Sequence, residues 1–462
     1  MKTRPVAVRS QAHEMIEFLH ALTLDAVPVS AVEHAKWCLL DSLGCGLFGS
    51  CQPWSKIMAE EMFAEGARGS STVFGHREPL AGPAAALCNG TASHGFELDD
   101  LLDEAIVHPG AIVVPAALAA AEAVDAPGAR LVLGVIAGYE VMDRVGRAIG
   151  FDSAHRGFHK TSVVGPLGAV VAAGVVMGLT PAQMHAATGL ACSTASGIKS
   201  FAAGTGGGMM KRMHAGRPAE AGVRMAQLAK RDFTGPPTAI DGRFGMLEVF
   251  GGPTANPEPL AAGLGRHWAV EHVYVKVYPC CSWIQASVQQ LAALRGPQPL
   301  AAGEIAGVRI GTNSYAKRIN GQPAPPDTMG AQYSIPYCAA LALTGDPADP
   351  AMYGPDRLDD RARRELAARV ELVIDPEMEA VYPKHYGARV ELRLANGERR
   401  ESFVMDPHGM PGDPCNEQER LEKFTRLASP VLSPARVAEA SAWVRACDQA
   451  ASVRQLTGVL RG

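Results

Sequence analysis

The sequence predicts a mainly helical protein, a large all-helical domain joined to a second, smaller α+β domain. Three observations carry that expectation. Apolar residues recur at helical spacing across nearly all of residues 1–265, period-two alternation takes over between 266 and 412, and helical periodicity returns after Cys415. At 462 residues the chain is also too long for one core of ordinary size. The expected division is 1–265 with 413–462 for the helical domain and 266–412 for the α+β domain. Period alone does not assign the last helices to either part. Short connections and the lack of a linker place them with the first.

In the helical part, Ser30-Ala31-Val32-Glu33 reads as a capping box that opens an apolar run to Leu47, closed by Gly49. Further helices are expected at about 11–23, 53–65, 81–96, 109–124, 128–149, 162–178, 181–195 and 208–230. Thr180-Pro181-Ala182-Gln183 is another capping box, with proline at the first helical position. One short strand is expected at Ser71–Phe74. In the second part, Glu271–Tyr278 (EHVYVKVY) and Ile305–Ile310 alternate as strands. Arg389–Leu394 and Glu401–Met405 flank Asn396-Gly397, a strong hairpin signal. Helices at about 281–295 and 331–344 fall between these strands, and two more, at about 415–427 and 433–450, end the chain.

Composition excludes several function classes. Hydrophobic residues make up 47% and charged residues 19%, which fits a globular chain and not a disordered one. With 43 Lys+Arg against 47 Asp+Glu there is no basic excess, so no nucleic-acid partner is expected. The 10 cysteines are scattered apart from Cys280-Cys281, with no zinc-type spacing, which points to a reducing compartment and to no metal site. Met1 to Ser10 is basic with no apolar segment behind it, so no secretory signal is read and a cytoplasmic location is expected. Val163 to Leu179 approaches membrane-spanning length. It is rich in Gly and Ala, contains Pro166 and lacks flanking Lys/Arg bias or an aromatic belt, so it reads as buried helix and no membrane is expected.

The candidate chemistry lies in separate stretches. The glycine run Gly204-Thr205-Gly206-Gly207-Gly208 does not make a Walker loop, because Met210 precedes Lys211 and Arg212 follows it. Lys211, Arg212 and His214 crowd positive groups into the first turn of a helix, against its dipole, which suggests an anionic ligand. His94, Glu97, Asp99, Asp100 and His108 cluster around an interhelical loop, suited to acid–base work or to oxygen ligation of a divalent ion. His159 directly precedes the apolar helix, and Lys276 lies in EHVYVKVY before Pro279-Cys280-Cys281. The cysteine pair reads as small packing residues at a helix start.

These stretches together resemble the MmgE/PrpD family, which includes 2-methylcitrate dehydratase, cis-aconitate decarboxylase and iminodisuccinate epimerase. The matching segments are NGTASHGFELDD, IVHPGAIVVPAALA, GFHKTSVVGPLGAV, SFAAGT…KRMHAGRPAEAG, DFTGPPTAIDGRFG and VKVYPCC, and they cover most of residues 30–345. The resemblance implies a helical domain completed by C-terminal helices, a smaller α+β lid, and a cofactor-independent homodimer acting on a small polycarboxylate. It implies catalytic positions at Glu97, His108, His159, Lys211, Lys276 and Tyr337, with Asp100, Arg212 and His214 as substrate-binding residues. Many members have Thr where this chain has Leu101, and often a His where it has Gln285. The implied activity is a lyase, most simply a hydro-lyase that removes a proton α to a carboxylate. An epimerase, a decarboxylase or a non-catalytic metabolite binder are the alternatives.

Overall fold

The computed structural model describes residues 10–203 and 206–461. The basic N-terminal stretch, up to residue 9, and the first two residues of the glycine run, Gly204 and Thr205, lie outside the described residues. At the centre of the helical layer lies Lys160–Met177, with 94% of its apolar window buried. Around it pack Gly110–Val124, Gly128–Ile149, Pro181–Cys192 and Met209–Ala229. Small residues permit these helices to approach closely. A Cβ on Gly222 would stand 2.2 Å from the Cβ of Ala169, and one on Gly168 would stand 2.4 Å from Met142. The Thr180 capping box forms as expected, with Gln183 as its reciprocal partner. The C-terminal helix Glu417–Ala428 packs on Val29–Ser50, where Lys423 bonds Asp41 at 2.7 Å and the Leu98 carbonyl at 2.7 Å.

The α+β domain holds a four-stranded sheet in the order Val370–Ile374, Ile305–Thr312, Ala388–Leu394, Arg399–Val404. The first pair is parallel and the other two are antiparallel. The hairpin turns at Asn396-Gly397, with Gly397 at φ +93°. Ser282–Arg295 packs against the two hairpin strands and against Ile335–Thr344. A second apolar core forms here, distinct from the large core of the helical layer.

Four local expectations need correction, the first at Ser30, which caps no helix: Val29–Ser50 begins one residue before it, with Pro28 at its N-cap and no side-chain capping bond. The first short strand is Arg68–Ser71, not Ser71–Phe74. Thr72 and Phe74 instead direct their backbone N–H groups to the side chains of Glu122 and Asn89. Glu271–Tyr278 is not a ladder strand: Ala269–His272 forms a 3₁₀ turn, and the extended residues after it are buried on both faces. This segment threads between the two cores, bonding Leu101 through Tyr274 on one flank and Gly409 through Val275 on the other. The helix expected at 331–344 is split, because Ser334 caps Tyr337 N–H and starts a fresh helix with Pro336 in its first turn. Val370–Ile374 carried no strand expectation; as an edge strand it is only half covered and shows no clean alternation.

One helix crossing aims the functional residues. Gly82–Ser93 and Met209–Ala229 meet at Gly90 and Gly216, where a Cβ on Gly216 would lie 2.4 Å from the Leu87 carbonyl oxygen. The loop after the first helix and the first turn of the second therefore face each other. Gly216→Ala should destabilise the protein by about 1–3 kcal/mol through overpacking, seen as a lower urea midpoint; an unchanged midpoint would contradict the close approach.

Candidate active site

Glu97 lies in the loop after Gly82–Ser93, in the left-handed region at φ +57°, with 1% of its surface exposed. A non-glycine residue held there costs local energy that its surroundings must offset. Its Oε1 accepts hydrogen bonds from Lys211 Nζ and from Arg212 Nη1 (2.7 Å), and Lys276 Nζ lies 3.5 Å from Oε2. Arg212 also donates to Gln332 Oε1 at 2.7 Å and stacks over Trp54. Gln332 in turn donates to the Phe96 carbonyl, so the α+β domain supports the loop that holds Glu97. Burial works to raise the Glu97 carboxyl, but Lys211, Lys276 and Arg212 outweigh it and hold Glu97 below the usual carboxylate range. For Lys276 burial opposes the charge, yet Glu97 and Asp99 leave it above its ordinary value. For Lys211 burial prevails over Glu97, and its value is lowered.

Four histidines stand beside this ion cluster. Ring centroids lie 5.0 Å apart for His94 and His108, 5.7 Å for His94 and His159, and 5.1 Å for His159 and His214. His94 Nδ1 is 2.6 Å from Asp99 Oδ2, and His108 Nδ1 is 2.7 Å from the Asp100 carbonyl oxygen. Both partners only accept, so each Nδ1 carries the proton and each Nε2 carries a lone pair. His159 Nδ1 and His214 Nδ1 are 3.0 Å apart, so one donates to the other. His214 Nε2 is buried and has no partner among the described residues. A lone pair left there is tolerated better than an orphaned N–H, which makes His214 the donor and leaves His159 with its N–H on Nε2. Burial, aided by Lys211, lowers His214 to about 4, and burial lowers His94 to about 3 against the pull of Asp99. Burial and His214 hold His159 far below its ordinary value as well. His94, His159 and His214 are therefore kept neutral.

These groups meet a partly open cavity between the helical layer and the α+β domain. Its polar wall includes Glu97, His108, His159, Lys199 and Lys276, together with Lys160, Thr161, Ser282, Tyr315 and Tyr333, and its apolar wall includes Leu101, Ile106, Phe158, Trp283 and Ile319. About 70 Å³ is open to water centres, room for roughly five waters and so for a small acid. Lys199 donates to Tyr315 Oη across the two parts of the chain, and burial lowers its value. His94, Asp99 and His108 each place one ligand atom within 4.8 Å of the others, as do His408, Cys415 and Glu419 on the far side of the Lys276 segment. In the first set both Nδ1 atoms already serve Asp99 and Asp100.

The residues singled out in the sequence thus separate into two layers. Glu97, His108, His159 and Lys276 reach the wall. Lys211, Arg212, His214 and Asp100 do not. Lys211 and Arg212 stand behind Glu97, His214 stands behind His159, and Asp100 accepts from Gly110 N–H (2.9 Å) and Tyr139 Oη (2.6 Å) behind His108. Tyr337 is a clear correction: its hydroxyl points toward the Met352 and Arg357 carbonyls inside the α+β core. The helix break at Ser334 puts Tyr333 on the wall in its place, with Lys211 5.4 Å from its ring centroid. Gln285 is likewise absent from the cavity, because it clamps the Tyr278 and Cys280 backbone. Sequence reasoning did not single out Lys199, Tyr315 or Tyr333. Lys199 carried one faint signal, a lone cation closing a long apolar stretch.

The MmgE/PrpD N-terminal domain model matches residues 13–258, and the MmgE/PrpD C-terminal domain model matches residues 278–449. Curated relatives run the length of the chain. A cis-aconitate decarboxylase-like protein, oryM, of Aspergillus oryzae is 28% identical over 472 residues, covering 97% of this chain and 97% of its own. Cis-aconitate decarboxylase of Aspergillus terreus is 28% identical over 472 residues, covering 97% and 95%. The Homo sapiens cis-aconitate decarboxylase is 28% identical over 466 residues, covering 96% and 93%. Matched in both halves by the family models, the chain belongs to the MmgE/PrpD family.

Proposed function

We propose that this protein is a lyase for a small acid with two or three carboxylates, and most simply a hydro-lyase. The observation that carries the reading is a cavity whose one wall carboxylate, Glu97, is outnumbered by the cations around it, beside two histidines, His108 and His159, each bonded through Nδ1 and leaving Nε2 to the space. Substrate carboxylates would settle on Lys276 and Lys199. His108 Nε2, a free lone pair, removes the proton α to a carboxylate. The enolate-like charge that builds there is stabilised by Lys276 and by the field of Lys211 and Arg212 behind Glu97. His159 Nε2–H protonates the departing hydroxyl, which leaves as water. His108 then holds the extra proton and His159 lacks one, and exchange with solvent resets both.

A decarboxylation is the second reading, favoured by the cis-aconitate decarboxylases among the relatives. There the electron pair of the breaking C–C bond stays on carbon, CO₂ departs, and His159 Nε2–H protonates the carbanion. His108 is not needed as a base, so the two reactions separate experimentally. With citrate, 2-methylcitrate and cis-aconitate offered in turn, proton NMR and CO₂ release distinguish loss of water from loss of carbon.

His159→Gln and Lys276→Met should fold normally and lose about 10²–10⁴-fold in turnover. Near-normal rates in both variants would refute the reading. His108→Gln should abolish dehydration by a similar factor, whereas a decarboxylase would tolerate it better.

The histidine environment also sets a pH dependence of stability. The folded values of His94 and His214, about 3 and about 4, lie below the ordinary 6.5. The unfolded chain therefore takes up protons first as the pH falls. Stability is complete above about 6.5 and declines from there toward pH 4. Glu97, also depressed, adds a further loss below the ordinary carboxylate range. Burial raises Asp100 to about 7 and Asp103 to about 6, which acts in the opposite sense over the same range, so the histidine contribution is read by comparison. The change in calorimetric Tm on going from pH 7 to pH 4 should be less unfavourable in His214→Gln than in the wild type; identical profiles would contradict a buried neutral His214.

A further inference from the structure

The segment that carries Lys276 borders a second cavity, of about 370 Å³, lined by Lys276, His408, Cys415, Glu419, Arg420 and Arg426 among others. His408, Cys415 and Glu419 each offer one ligand atom, and the three atoms lie within 4.8 Å of one another. Their spacing in the chain, six intervening residues and then three, is no zinc-type motif. A turn supplies the closeness instead. Gly409 sits at φ +96° and its N–H bonds the Asp413 carbonyl at 2.8 Å, which folds His408 back onto the start of Glu417–Ala428.

His408 and Glu419 are each held by a bond that leaves one donor atom free. His408 Nδ1 is 3.0 Å from Asp413 Oδ2, an acceptor only, so Nδ1 carries a proton. Glu419 Oε2 accepts the Asn416 N–H at 2.7 Å within a capping box, and its Oε1 stands 3.1 Å from His408 Nε2. An imidazole nitrogen and a carboxylate oxygen this close need positive charge between them, either a second proton on the ring or a cation. The separation is close to the edge, about 3.3 Å, of a tetrahedron whose metal–ligand bonds are about 2.0 Å. Cys415 decides between the two. It is 8% exposed, and its thiol has no hydrogen-bond partner among the described residues. A second proton on His408 makes no use of that sulfur, whereas a zinc-type ion takes nitrogen, sulfur and oxygen together. The carboxylate behind His408 is the outer support that metal-binding imidazoles take, and a fourth position would open onto the cavity.

We propose that His408, Cys415 and Glu419 bind one divalent ion of the zinc type, which ties the loop after Arg399–Val404 to the helix Glu417–Ala428. The Gly409 carbonyl in that loop accepts the Val275 N–H at 2.9 Å, so the ion steadies the segment bearing Lys276. None of the three ligands lines the active-site cavity, and metal binding here is independent of the carboxylate reading.

The whole protein, stripped with EDTA, should bind Zn²⁺ with a Kd below about 10 µM by calorimetry. Saturating Co²⁺ should give a thiolate-to-cobalt charge-transfer band in the near ultraviolet. Two other clusters among the described residues, His94-Asp99-His108 and His13-Glu17-His185, also gather ligand atoms, but neither contains sulfur, so the band reports this site. Cys415→Ser should abolish the band, and His408→Gln and Asp413→Asn should each weaken Zn²⁺ binding at least about tenfold. Absence of the band, Zn²⁺ binding weaker than about 10 µM, or unchanged affinity in both of the last variants would overturn the proposal. Where a variant fails to fold, the wild-type cobalt spectrum decides.

Discussion

Everything in the site depends on one carboxylate that is outnumbered. Glu97 is buried with Lys211, Arg212 and Lys276 around it, and a buried ion cluster persists only where each charge finds partners. One glutamate does not neutralise three cations, so the cluster keeps a positive field directed at the cavity that Glu97 and Lys276 line. Glu97 is also held in left-handed backbone, a conformation that the rest of the loop must enforce. The enforcement comes from both parts of the chain. Gln332 of the α+β domain bonds the Phe96 carbonyl, and Lys423 of the C-terminal helix bonds the Leu98 carbonyl.

The helical packing explains how residues more than a hundred positions apart arrive at one carboxylate. Gly90 and Gly216 let two helices touch nearly backbone to backbone, and the cations sit one turn ahead of that contact. Small residues repeat this device through the layer, which is why so much glycine and alanine serves a protein with few aromatics. The rigidity so gained bears on chemistry, since acid–base geometry tolerates little displacement.

Much of this was legible in the sequence. Helical periodicity marked the helices around the site, and Asn396-Gly397 marked the hairpin, because local propensity and tertiary environment agree at those places. Glu97, His108, His159 and Lys276 stood out by residue type and position, the family resemblance grouped them, and all four line the cavity. What escaped was layering. No periodicity tells whether Lys211 ends at the ligand or behind Glu97, since both fates bury it equally. Tyr337 and Tyr333 are four residues apart, and only the capping hydroxyl of Ser334 decides which one faces the cavity. EHVYVKVY alternates like a strand, yet each flank finds a different partner and both faces are covered.

The second layer matters because burial tunes the first. Isolated in water, four histidines and three cations would repel one another and hold their own water. Packed here, His94 and His214 lose their charge to burial, and each hands a defined tautomeric preference to its surroundings. His108 Nδ1 is oriented by the Asp100 carbonyl at 2.7 Å, with Asp99 Oδ2 3.3 Å away, whereas His159 is oriented by a neighbouring imidazole. The two imidazoles that reach the cavity therefore differ in the hydrogen bond behind them and not in residue type. In the proposed reaction those supports, the Asp100 carbonyl for His108 and His214 for His159, decide which ring nitrogen bears the lone pair and which the proton, so the direction of proton flow would follow from the second layer.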